Sequence, residues 1–160
     1  MSNSDARLNM FENPVLSKVL KRIVAAGQPA AESSLPAEVR HLVEIRASQI
    51  NGCAFCTDMH TKEAAHHGET SVRINLIATW REATVFTEAE RAALELTEEA
   101  TRIADAAGGV SDEVWANAAK HFDEEQLGAL TASIALINTF NRLNVIVAQP
   151  AGDYQVGQFG

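Results

Sequence analysis

Apolar residues return every three or four positions along most of this chain, and nowhere do apolar and polar residues alternate over a run bounded by turn residues. A half-buried strand needs that two-residue alternation, so the pattern predicts an all-α, single-domain helical bundle. At 160 residues the chain is long enough to bury roughly 70% of its unfolded surface in one domain spanning residues 1–160. There is no internal repeat and no low-complexity block.

Punctuation along the chain divides the helices. Pro14 suits a first helical position, and Val15, Leu16, Val19, Leu20, Ile23 and Val24 make one stripe as far as Ala26. Gly27 and Pro29 are expected to stop that helix, leaving residues 28–35 as a connection. A second helix runs from near Pro36 to Gln49 with a wide apolar face. Asn51-Gly52 then makes a turn, and a third helix carries Cys53 to His67, ended by Gly68. A short fourth covers about Val72 to Trp80. Thr87 and Glu90 form a capping box opening a helix to about Ala106, where Gly108-Gly109 follow. Ser111 caps the next, with Asp112 and Glu113 favourably placed against its dipole. Asp123-Glu124-Glu125 opens the last, which ends near Val147. The tail 149–160, rich in Gly and Gln, is expected to be disordered or to lie as an arm on a partner subunit.

The formal net charge of −8 argues against a general nucleic-acid binder, which must displace counterions from phosphates, and against docking on an anionic membrane. No run reaches the roughly 18 consecutive apolar residues of a membrane span. The polar start Met-Ser-Asn-Ser-Asp lacks the order of a secretory signal. The expected location is the cytoplasm.

In a reducing compartment, two cysteines three residues apart point to redox, catalytic or metal chemistry rather than to a disulfide framework. They lie in Asn51-Gly-Cys-Ala-Phe-Cys-Thr-Asp-Met-His60. On a helix, separations of three, four and seven share one face, so Cys53, Cys56 and His60 point the same way. An unperturbed thiol has a pKa near 8.5, and only its thiolate is a good nucleophile. A histidine one turn away can take the proton, and a second thiol can close a disulfide with the oxidised first.

Cys53 is nearer the helix N-terminus, whose dipole is worth about 0.3–1 kcal/mol. Cys56 is the closer partner of His60, and a direct imidazole partner should count for more. Cys56 is therefore read as the attacking thiol and Cys53 as the resolving one. Structural zinc is the alternative, with His67 as a fourth ligand, but His67 lies some 10 Å beyond His60 along a straight helix. An inert buried pair is the other. His66 and His67 are read as capping the helix C-terminus. Phe55 and Met59 are read first as core and second as pocket lining. Arg142 stays outside the catalytic set.

The stretch from Leu42 through His60 resembles the alkyl hydroperoxidase D-like group of the carboxymuconolactone decarboxylase family. Trp80-Arg-Glu-Ala, Phe86-Thr-Glu-Ala-Glu-Arg and Ile137-Asn-Thr-Phe-Asn-Arg-Leu extend the likeness over most of the chain, around a core motif at 41–67. The resemblance implies an all-helical subunit assembling as a homotrimer or homohexamer. It implies a peroxidase of antioxidant defence with no metal or organic cofactor. Cys56 becomes the sulfenic acid, Cys53 supplies a proton and then the disulfide, and His60 relays protons. Electrons come from a dithiol donor such as a lipoylated protein.

Well-studied members carry a glutamate twelve residues before the first cysteine. Here that position is His41, and Glu44 follows three residues later. Either His41 or Glu44 is expected to complete the relay, unless Glu44 simply pairs with Arg40 or Arg46. Lactone-decarboxylating relatives lack the cysteine pair, which argues against that activity. Two further classes remain open: a thiol–disulfide carrier with little peroxide turnover, and a non-enzymatic helical assembly with structural zinc.

Overall fold

Two apolar faces on one helix organise the molecule. In the computed structural model, which describes residues 6–106 and 108–159, α2 (Ala37–Ile50) turns Val39 and Val43 one way and Leu42 and Ile45 another. Around it stand α1 (Leu16–Ala31), α3 (Ala54–His66), α4 (Ser71–Leu76) with a 3-10 turn at Ile77–Thr79, α5 (Glu88–Thr101), α6 (Asp112–Ala118) and α7 (Glu124–Val147). No strand occurs among the described residues. Met1–Asp5, on which the reading of an absent export signal rests, lie outside them.

Val39 and Val43 pack with Leu96 of α5, Val114 of α6, and Leu130 and Ile134 of α7. Leu42 and Ile45 pack with Ala64 of α3, Ile77, Trp80 and Leu94. Because α2 is wrapped by α3, α5 and α7, it needs apolar residues on more than one side, which accounts for its wide stripe.

Polar pairs fix how the helices enter and leave this core. The Thr87–Glu90 capping box opens α5 as the sequence predicts, and buried Glu90 also pairs with Arg73 of α4. Glu98 accepts hydrogen bonds from the Trp80 indole at 3.0 Å and from Arg46 Nε at 2.8 Å, tying α5 to α2. Among the described helices α7, at 24 residues, is long and apolar enough to cross a membrane by length and composition. Here it packs on α1, α2 and α5.

Several boundaries differ from the sequence reading. Helix α1 continues through Gly27 and Pro29 to Ala31. Gly27 sits against Leu136 of α7, where an added Cβ would meet Leu136 Cδ1 at an ordinary 3.5 Å, and Ala30 is buried in the core. Packing therefore outweighs the one hydrogen bond that proline removes near the end. The fourth helix tightens to 3-10 after Leu76. Helix α5 stops at Thr101, not Ala106, since beyond it Ile103 points into solvent and finds no core to join.

Over its described residues, 149–159, the tail is fastened to its own subunit rather than left free. Ala148 takes a left-handed conformation (φ 54°) that turns the chain back, and the segment lies along its own α3. There Asp58 accepts the Gly152 N–H at 2.8 Å, and Lys62 donates to the Gly152 and Tyr154 carbonyls at 2.9 and 3.0 Å.

Candidate active site

The turn between α2 and α3 presents the cysteines. Gly52 (φ +64°) adopts the left-handed backbone that glycine takes without strain. The Cys53 N–H then donates back to the Ser48 carbonyl at 3.0 Å. The Cys53 sulfur caps α3, accepting the Cys56 N–H at 3.3 Å.

A ladder of asparagines on α7 holds this turn in place. Asn51 Nδ2 donates to the side-chain oxygens of Asn138 and Asn141, both at 2.9 Å. Asn141 Nδ2 in turn donates to Ser48 Oγ at 3.0 Å. Fully satisfied buried networks of this kind rigidify what they hold.

Cys53 and Cys56 are joined as a disulfide with Cα atoms 5.4 Å apart. Both are nearly fully buried, packed with Ala47 and Ile137. Their surroundings differ. A cavity of about 580 Å³ between α1, α3 and α7 is lined by Cys56, His60 and Glu44, and Cys53 is not part of its wall. Phe55 and Met59 also line it and belong to none of the buried clusters, so they are pocket residues rather than core.

Antiparallel packing of α2 on α3 puts Glu44 beside His60. Glu44 Oε2 lies 3.1 Å from His60 Nδ1, so the carboxylate accepts Nδ1–H and leaves Nε2 as the basic ring atom. Burial pushes the Glu44 carboxyl up, but the charge and hydrogen bond of His60, helped by Arg40 and His41, outweigh it and hold it below its ordinary value. Glu44 thus stays ionised beside the ring.

His41 goes elsewhere. It borders a separate pocket with His67 and Glu38, its ring 5.2 Å from that of His67, and burial holds it below the usual histidine range. Of the two relay candidates, only Glu44 is hydrogen-bonded to His60. Arg46 is taken by Glu98 at 2.6 Å. His67 Nδ1 donates to the Glu63 carbonyl at 2.8 Å, which is the capping role read for it. Among the described residues no three His, Cys, Asp or Glu side chains gather as metal ligands. Arg142 is exposed.

One residue at the site escapes sequence reasoning. Asn144 Nδ2 donates to the Phe140 carbonyl at 2.9 Å and also lies 3.4 Å from Cys56 Sγ. The carbonyl fixes which end of the amide is NH₂, so a donor is aimed at the sulfur. The signal was the Asn138-x-x-Asn141-x-x-Asn144 spacing, which puts three amides on one face of an otherwise apolar helix.

An all-helical fold with a Cys-x-x-Cys-x-x-x-His helix over an apolar cavity defines the alkyl hydroperoxidase D-like type. The chain belongs to the carboxymuconolactone decarboxylase family, which residues 17–99 match. The uncharacterized protein YdfG of Bacillus subtilis is 42% identical over 120 residues, covering 75% of this chain and 80% of that protein. A crystal structure from Agrobacterium tumefaciens superposes with a TM-score of 0.86 at 36% identity, covering 94% of this chain and 100% of that one. That protein is of unknown function and is described as a candidate antioxidant defence protein, AhpD. An uncharacterized peroxidase-related protein of Ralstonia eutropha shares the fold, with a TM-score of 0.72 at 17% identity over 86% of this chain and 72% of that one.

Proposed function

We propose that this protein is a thiol-dependent peroxidase that reduces organic hydroperoxides, with Cys56 attacking and Cys53 resolving. The observation that carries the reading is the asymmetry of the disulfide: the sulfur of Cys56 belongs to a residue on the cavity wall, beside a His60–Glu44 pair and an Asn144 donor.

In the reduced protein His60 Nε2 takes the Cys56 proton, Glu44 stabilises the imidazolium, and the Asn144 N–H holds the thiolate. The thiolate attacks the outer oxygen of R–O–O–H. The S–O bond forms, the O–O bond breaks, and the alkoxide leaves, taking a proton from Cys53 or the imidazolium to become R–OH. Cys56 is now a sulfenic acid. Cys53 condenses with it to give the Cys53–Cys56 disulfide, and the hydroxyl leaves as water with the proton still held by Cys53 or by the imidazolium. An external dithiol, such as a lipoylated protein, reopens that bond by exchange and is itself oxidised to a disulfide. No step needs a metal or an organic cofactor. The family likeness further proposes homotrimers or homohexamers of a single 1–160 domain working in the cytoplasm.

Stopped-flow oxidation of the reduced protein tests this. A peroxidase reacts with tert-butyl hydroperoxide at least about 100-fold faster than free cysteine, the size of a general acid–base contribution, and Cys56→Ser abolishes the reaction. Preference for a small-molecule disulfide over every peroxide would instead mark a thiol–disulfide carrier.

A further inference from the structure

Helix α3 uses two faces. One carries Cys56 and His60 to the cavity, and the other carries Asp58, Lys62 and Glu63, which grip the segment 149–159. Asp58 Oδ2 accepts the N–H groups of Gly152 and Tyr154 at 2.8 and 3.3 Å, and Lys62 bridges Asp58 Oδ1 at 2.7 Å to two tail carbonyls. Glu63 accepts the Gly157 N–H at 2.8 Å and the Tyr154 hydroxyl. Burial raises the Tyr154 hydroxyl to about 12, with Glu63 adding to it, so the phenol remains a donor at neutral pH.

What this clasp delivers is a ring. Phe159 stacks on Phe11 at 5.4 Å between centroids and lies 6.3 Å from Phe55 of α3 and 5.9 Å from Tyr154. Phe159, Phe11 and Phe55 all line the cavity that holds Cys56. Phe159 and Phe11 each keep 48% of their surface exposed. The segment buries Tyr154, but core burial explains little of why it runs on to carry a half-exposed phenylalanine. An apolar guest in the cavity would cover those faces.

We propose that Phe159, positioned by the Tyr154–Glu63 clasp, is a specificity-determining residue: it completes an aromatic wall that selects hydroperoxides bearing a bulky apolar or aryl group over small ones. The inference rests on the peroxidase reading for its reaction. Its ligand class, an apolar body with an oxygen head, can be probed without turnover. Phe159 touches the guest, while Tyr154 and Glu63 act through it as positioning residues.

The test pairs two measurements on the full chain. Calorimetric binding of 2-phenyl-2-propanol to the disulfide form reports the cavity. The ratio of rate constants for cumene hydroperoxide and hydrogen peroxide reports selectivity. Phe159→Ala weakens alcohol binding and lowers the ratio, each by about tenfold, the scale of losing apolar contact in a pocket. Phe159→Trp restores both, and Tyr154→Phe moves both the same way while circular dichroism shows the helices intact. Unchanged binding in Phe159→Ala, no binding to the wild type, or an equal loss for both peroxides overturns the inference. If the alcohol binds through Phe159 but neither peroxide oxidises the reduced wild type, the wall assignment stands and the peroxidase reading falls.

Discussion

Glu44 sets what His60 can do. An ionised carboxylate 3.1 Å from Nδ1 fixes the tautomer that leaves Nε2 as the base for the thiol. Glu44→Gln keeps the shape and loses the charge, so peroxide-driven oxidation should slow roughly 10- to 100-fold, the lower range of general acid–base effects. Stopped-flow rates with tert-butyl hydroperoxide check this, and an unchanged rate in Glu44→Gln would contradict it. Asn144 is tested at the sulfur itself. In a Cys53→Ser background, Asn144→Leu removes the donor at similar volume, and alkylation of Cys56 by iodoacetamide at neutral pH should fall about tenfold, in keeping with a hydrogen bond to a charged group. Cys56 and His60 were legible as neighbours because a separation of four places them on one helical face, whereas Cys53, expected on that same face, is the extended cap of α3 and lies off the cavity wall. The choice between His41 and Glu44 was not, since they are three residues apart on one helix and only the packing of α3 decides which meets His60. Asn144 was hidden for the same reason, being 88 positions from Cys56.

Among the elements, α4 and α5 are joined by a partly buried charge pair, Arg73 with Glu90. Burial pushes the Glu90 carboxyl up, but Arg73 and the Thr87 cap hold it below its ordinary 4.5. A carboxyl depressed in the folded state binds fewer protons there than when unfolded, so its contribution is present above 4.5 and is lost as pH falls through the lower folded value. Urea unfolding from pH 6 to 3 should show that loss, and Glu90→Gln should flatten it. Glu90→Ala should cost about 1–2 kcal/mol, because the capping bond to the Thr87 N–H and the tie between α4 and α5 are lost while Arg73 keeps Glu69 at 2.8 Å. At the end of α7, Ala148 sits in the left-handed region. Ala148→Gly should relieve about 1 kcal/mol and raise Tm by about 2–4 °C for a chain this size, read by thermal circular dichroism. Caps at Thr87 and Ser111 were readable because they are local chemistry. The ends of α1 and α5 were not, because what lies opposite them, Leu136 beside Gly27 and solvent beside Ile103, is set by the tertiary fold.

Over the whole molecule, the all-α architecture followed from periodicity, but the cavity did not. Its wall joins Phe11, α1, Glu44 of α2, the Cys56–His60 face of α3, α7 and Phe159, segments that no sequence window contains together. Disorder of the tail was expected for a related reason: Gly- and Gln-rich composition signals freedom, while Asp58, Lys62 and Glu63 supply hydrogen-bond partners that composition does not reveal. Phe55 and Met59 became pocket residues once that wall had closed around them. The account depends throughout on one sulfur facing the substrate and the other facing the protein. Intact-mass analysis of Cys53→Ser and Cys56→Ser after one equivalent of cumene hydroperoxide tests that directly. The account predicts one added oxygen on Cys56 in the first variant and an unmodified thiol in the second over the same time. Equal or faster oxidation of Cys53 in the second variant would contradict it.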